Sequence, residues 1–169
     1  MEKCLSAGGK EVLIKSVAQS IPTYSIACFK LPRGLCEHIN GLLMKFWWGS
    51  KRGERKMAWV SWNTMCKPKF MGGMGFRDIE LFNLALLARQ AWHLLQDPDS
   101  LNARVLKSRY YPQCNILEAS LGNHPSQVWR SIMEGKEILA LGIIKRVGTG
   151  EDTDIWSDNW IPRDYKLRP

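Results

Sequence analysis

The sequence predicts a mainly α protein, a helical bundle carrying one or two short β-hairpins. Three observations carry that expectation. Apolar residues recur at spacings of three and four through most of the chain before Gly142. Alternation appears mainly near residues 56–62 and 143–160. No succession of strand, helix and strand units offers a parallel sheet. At 169 residues the chain makes one domain or two small ones, enough to bury roughly 70% of the unfolded surface. Its composition, 45% hydrophobic and 24% charged, is globular rather than disordered.

Each element has its own signal. Val12, Leu13 and Val17 lie near one face of a helix over residues 9–20, which stops before Ile21-Pro22 because proline restricts the residue ahead of it. Pro22 opens a second helical segment and Pro32 a third, where Leu35, Ile39, Leu42, Leu43 and Phe46 form one stripe. The heptapeptide KMAWVSW, residues 56–62, predicts a short strand with Met57 and Trp59 on one face and Val60 and Trp62 on the other. After a glycine-rich turn in MGGMGF, Asp78 caps a long helix to Leu95 that is apolar on most sides and therefore central. The run Asp97-Pro98-Asp99-Ser100 ends it and starts another over 101–110, closed by Pro112. Beyond a linker over 112–126, Val128, Trp129, Ile132 and Met133 mark a helix from Ser126 to about Leu139. The tail IIKRVGTGEDTDIWSDNW predicts a hairpin turning at Gly148-Thr149-Gly150. The chain thus divides into a helical segment over 1–48, a basic and aromatic strand-loop segment over 49–77, and a helical segment with a C-terminal hairpin over 78–169.

Charge is distributed unevenly. The net charge is +8, and residues 45–77 hold eight bases against the single acid Glu54, with four tryptophans among them. A field concentrated in this way attracts phosphates. The candidate nucleic-acid-binding residues are Lys45, Lys51, Arg52, Arg55, Lys56, Lys67, Lys69 and Arg77, with Trp59 and Trp62 between them. Lys51, Arg52, Arg55 and Lys56 surround Gly49 and Gly53 in a turn too polar to bury, which makes them the best phosphate contacts. The tryptophans admit two roles: stacking on a base, or filling the core. The burial energy of so large a ring favours the core for most of them.

Catalytic and metal-binding patterns are lacking. Cys4, Cys28, Cys36, Cys66 and Cys114 contain no C-x-x-C pair and read as reduced thiols; Cys36-x-His38 is the one close Cys/His couple, and a structural zinc needs two. His38, His93 and His124 stand far apart with no evident nucleophile. Glu151, Asp152 and Asp154 flank a turn and read as solvated. MGGMGF lacks the ending and spacing of a phosphate loop and reads as a packing turn. The N-terminus MEKCLSAGGKEVLIK is no secretory or transit signal, and the longest apolar tract, broken by Arg89, Gln90 and His93, is too short to span a membrane. No cofactor is indicated.

The order of the pieces carries more information than any one of them. KEVLIKSVAQSIPTYSIACFKLP, GLLMKFWWGSKRGERKMAWVSWNTMCKPK, GGMGFRDIELFNLALLARQAWHLL, ARVLKSRYYP and RVGTGEDTDIWSDNWIP follow one another. Together they resemble the polyprotein of plant LINE-type (non-LTR) retrotransposons, in the helical thumb and following region beyond the reverse-transcriptase palm. The sequence is also similar to short uncharacterised proteins of plant mitochondrial genomes derived from such elements. The resemblance implies a thumb-like bundle and a partner that is RNA or DNA. It implies no catalytic residue here, because that family holds its metals on palm aspartates that include an adjacent pair, and this sequence has no Asp-Asp. The expected protein is therefore not an enzyme but a noncatalytic fragment of an RNA-directed DNA polymerase. Two alternatives stand beside that reading: a relic with no selected activity, and a component acting with a separate palm-bearing chain. The compartment implied is mitochondrial if the gene is organellar, and nuclear or cytoplasmic otherwise.

Overall fold

Hydroxyl and carboxylate caps set most of the helix starts. The structure, a computed structural model, describes residues 5–20, 23–49, 57–151, 153–156 and 158–162. Ser6 Oγ accepts from Gly9 N (3.2 Å) and opens α1, Ala7–Leu13. Asp78 accepts from Glu80 N (2.9 Å) and Leu81 N (3.2 Å) and opens α5, Ile79–Gln96. Ser100 and Ser126 likewise open α6, Leu101–Tyr110, and α7, Gln127–Gly142. Each such bond satisfies a backbone donor that the first helical turn leaves without a partner. Between α1 and α5 lie α2, Thr23–Cys28; α3, Arg33–Trp48; and the short α4, Trp62–Cys66.

The first helix does not end where its α-type hydrogen bonding does. Residues Ile14–Ala18 continue it as a π-helical turn, closed by Gln19 N donating to Ile14 O at 2.9 Å. Five residues of α-helix would set Ile14 and Gln19 about 140° apart, whereas bonding five residues back turns both inward. Both are buried. Gln19 uses its position to clamp a distant strand of chain: Nε2 donates to Arg77 O (3.1 Å) and Oε1 accepts from Arg77 N (3.2 Å).

Helix α5 is central, as its apolar circumference predicts, and packs against α2, α3 and α7. Its contact with α7 is the most extensive and depends on Gly135, where an added Cβ would intrude on the backbone of Leu87 and Ala88. From α5 the buried Asn83 reaches the link between α2 and α3. Its amide donates to Ile26 O (2.5 Å) and Phe29 O (2.9 Å), and Oδ1 accepts from Leu31 N (2.8 Å). From α7, Ser131 Oγ donates to Gln127 O (2.8 Å) and accepts from Lys30 N (2.9 Å). No polar capacity is wasted at either site, which is what lets amide and hydroxyl groups sit inside.

Two apolar clusters lie within this frame. One surrounds Trp129, whose ring is stacked by Tyr110 at 4.7 Å and Tyr111 at 5.5 Å, with Ala91, Ala103, Ile116, Ala119 and Ile132 completing it. Ile116 and Ala119 come from the linker before α7, so that stretch is part of the core despite its prolines and glycine. The second cluster gathers Ile14, Leu43, Trp62, Met65 and Phe76.

The mainly α reading holds, but the expected β elements are absent among the described residues. At 57–62 the backbone bends and then enters α4, because Ser61 accepts from Thr64 N (3.3 Å) and serves as a helix cap. A local cap outweighs a few residues of alternation that find no partner strand. In the tail, Lys145 N donates to Asn159 O at 2.6 Å, but no ladder follows. The loop is instead tied by Asp158, which accepts from Lys145 Nζ (2.7 Å) and Asp154 N (3.0 Å). No helix among the described residues is long and apolar enough to cross a membrane.

The closeness of α5 and α7 gives a direct test. Gly135→Ala should force the helices apart and lower stability by about 3 kcal/mol, while Gly142→Ala, where a Cβ meets open space, should change it by less than about 0.5 kcal/mol. Urea denaturation of the two variants measures the difference.

Candidate nucleic-acid interface

The basic segment is organised around a ring. Phe76 is buried, with Trp62 stacked on it at 5.3 Å and Trp47 set edge-on at 5.3 Å. Lys15 Nζ stands 5.8 Å from the same ring. Phe76 thus joins the end of α3, the α4 region and the first helix, which lie far apart in the sequence. The turn between α4 and Phe76 is formed by a short 3₁₀ helix, Lys69–Met71, and closed by Gly75 N donating to Lys67 O (2.9 Å) and Met74 N donating to Met65 O (2.9 Å). Gly73 lies so close to the Lys67 carbonyl that a side chain has no room there.

The sequence-derived candidates separate on this scaffold. Lys51, Arg52, Arg55 and Lys56 lie outside the described residues. Lys45, on the last turn of α3, and Lys67 are exposed. Lys69 is 65% exposed and pairs with Glu11 at 2.8 Å. Arg77 is exposed, with its guanidinium 4.6 Å from the Phe82 ring centre. The tryptophans diverge. Trp62 is 7% exposed and part of the core, whereas Trp59 is 79% exposed. The expected strand would have given both rings sheet-like surroundings; the capped helix start buries one and leaves the other in water.

Folding also brings in two bases from outside residues 45–77. Lys10 Nζ donates to Trp47 O (3.2 Å) at the C-terminal end of α3, where a positive charge complements the helix dipole. Lys15 shares Glu11 with Lys69, donating to it at 2.8 Å. Their sequence signal was slight: Glu11 and Lys15 at helical spacing of four. Hydrogen bonds from Lys15 and then Lys69 hold the Glu11 carboxyl down at about 2, against an ordinary 4.5. It is therefore anionic at neutral pH and offsets one of the two lysine charges paired with it.

Metal chemistry finds no foothold among the described residues, where no three His, Cys, Asp or Glu side chains gather. Cys36 is buried and His38 exposed, so that couple points two ways. Burial pushes the Cys66 thiol up to about 11, with Asp78 adding to it. Burial, followed by Glu80, also raises that of Cys36.

Two outcomes follow. Trp62→Ala should cost roughly 3–5 kcal/mol of stability, and Trp59→Ala less than about 0.5, as read from denaturant midpoints. The pairs at Glu11 should contribute stability in full above pH 4.5 and lose it as pH falls from there through about 2, because the folded-state value is the depressed one. The gap in Tm between the parent protein and Glu11→Gln should accordingly close across that interval.

No family model matches the chain, and no solved structure does. Two proteins of Arabidopsis thaliana are similar to it. "Putative ribonuclease H protein At1g65750" is 33% identical over 165 residues, 95% of this chain but only 26% of that protein's length. "Uncharacterized mitochondrial protein AtMg00310" is 41% identical over 151 residues, covering 89% of this chain and 98% of that one. With that extent of shared sequence, the chain belongs to the same family as the Arabidopsis mitochondrial protein.

Proposed function

We propose that the protein is a noncatalytic piece of a LINE-type retroelement polyprotein that retains nonspecific binding of RNA or DNA through phosphate contacts. The observation that carries the binding is the accumulation of eight bases against one acid over residues 45–77. The structure supports it with Lys45, Lys67 and Arg77 exposed on a scaffold organised by Phe76, and with Lys10 and Lys15 added from α1 and its continuation. The retroelement origin draws on the ordered motifs and on the 33% identity to a segment of a much longer protein named for ribonuclease H. The adjacent aspartate pair on which polymerases of that family hold their metals does not occur in this sequence. That same absence favours a second reading, a relic of the element with no selected activity. The name of the shorter relative supports a mitochondrial compartment if the gene is organellar, with a nuclear or cytoplasmic one otherwise.

Binding driven by phosphates releases counterions and so weakens with salt. On a single strand the slope of log K against log salt should be about −0.7 per phosphate contacted. Replacing Lys51, Arg52, Arg55 and Lys56 together by serine should flatten it by up to about 3 units. A filter-binding titration across salt measures both slopes. An unchanged slope and affinity would remove the binding role from those four residues and leave the relic reading.

A further inference from the structure

The segment from Met57 to Met71 exposes more apolar surface than its folding requires. Met65 and Trp62 are buried in its middle, yet Trp59 is 79% and Phe70 88% exposed on either side of them. Neither ring is on a loose end. Phe70 sits in the 3₁₀ turn, which is closed by Met71 N donating to Pro68 O (2.9 Å), Gly72 N donating to Lys69 O (3.1 Å) and Gly73 N donating to Pro68 O (3.1 Å). Trp59 lies three residues before Trp62, which the stack on Phe76 holds in place. Lys67 and Lys69 precede Phe70 in sequence by three residues and one; Lys67 is exposed, and Lys69 is largely so while also paired with Glu11. Two flat apolar faces exposed to solvent within a basic stretch of sequence match an anion that also presents flat apolar faces.

We infer that this segment is a stacking platform for unpaired nucleotides: Trp59 and Phe70 each take the face of a base, and Lys67 and Lys69 take neighbouring phosphates. This rests on the nucleic-acid reading above and narrows its ligand to single strands. A base inside a duplex already spends both faces on its neighbours, so an exposed ring gains only from a base that is unstacked. Stacking is tolerant of sequence because every base has a face, which agrees with a nonspecific ligand. The closed turn also spares the ligand the cost of ordering Phe70 on binding.

The test is fluorescence anisotropy with a labelled oligonucleotide of about 20 bases, long enough for one site, as a mixed-sequence single strand and as its blunt duplex. The parent protein should prefer the single strand by about tenfold or more. Trp59→Ala and Phe70→Ala should each weaken single-strand binding roughly 5- to 150-fold, with duplex affinity and Tm unchanged, and Trp59→Phe should retain most of the affinity. Equal binding of strand and duplex, with the alanine variants binding as the parent does, would overturn the stacking platform while leaving phosphate binding intact. Failure of the parent to bind either form would overturn the nucleic-acid reading itself, and this inference with it.

Discussion

The close approach of α5 and α7 at Gly135 is the constraint from which the rest of the arrangement follows. With no Cβ at that crossing, the α7 backbone reaches that of Leu87 and Ala88. The approach carries Trp129 into its stack between Tyr110 and Tyr111 and brings Ser131 within bonding distance of Lys30. Asn83 then holds the same link from the α5 side. A chain segment with no regular structure is thereby tied to both helices by side-chain hydrogen bonds to its backbone. A larger residue at 135 would disturb those bonds as well as the packing.

Buried polar groups do much of the long-range work. Gln19, Asn83 and Ser131 each meet backbone groups that helices and turns leave without partners. Such bonds contribute modestly when made and cost more when broken inside, because the abandoned partner stays desolvated. They therefore specify where linkers run more than they add to total stability. The π turn at Ile14–Ala18 belongs to the same logic, since without the extra residue Gln19 would face away from Arg77.

Helix positions were largely legible in the sequence because their ends are written locally. Asp78 and Ser100 were read directly as boundaries, and 101–110 was placed as observed. Ser61 carried the same signal but lay inside an alternating run, and alternation alone does not supply a partner strand. The expected tail hairpin fails for a related reason: the Asp158 carboxylate, accepting from Lys145 Nζ and Asp154 N, ties the loop and leaves no strand periodicity in the sequence. The candidate site was legible as charge but not as geometry. That Trp59 and Trp62 would part company depends on where one helix begins, and that Lys10 and Lys15 would join the basic segment depends on contacts across more than thirty residues.

Phe76 has a consequence for how variants of this protein would be interpreted. It carries no charge and is shielded from solvent, yet the continuation of the first helix, the end of α3 and the start of α4 all meet at its ring. In a genetic screen scored on the basic surface, a lesion at Phe76 would group with lesions in the lysines themselves. An assignment of contact residues from phenotype alone would then place a buried ring in the interface. Only a measurement that separates the amount of folded protein from its affinity would return Phe76 to the scaffold.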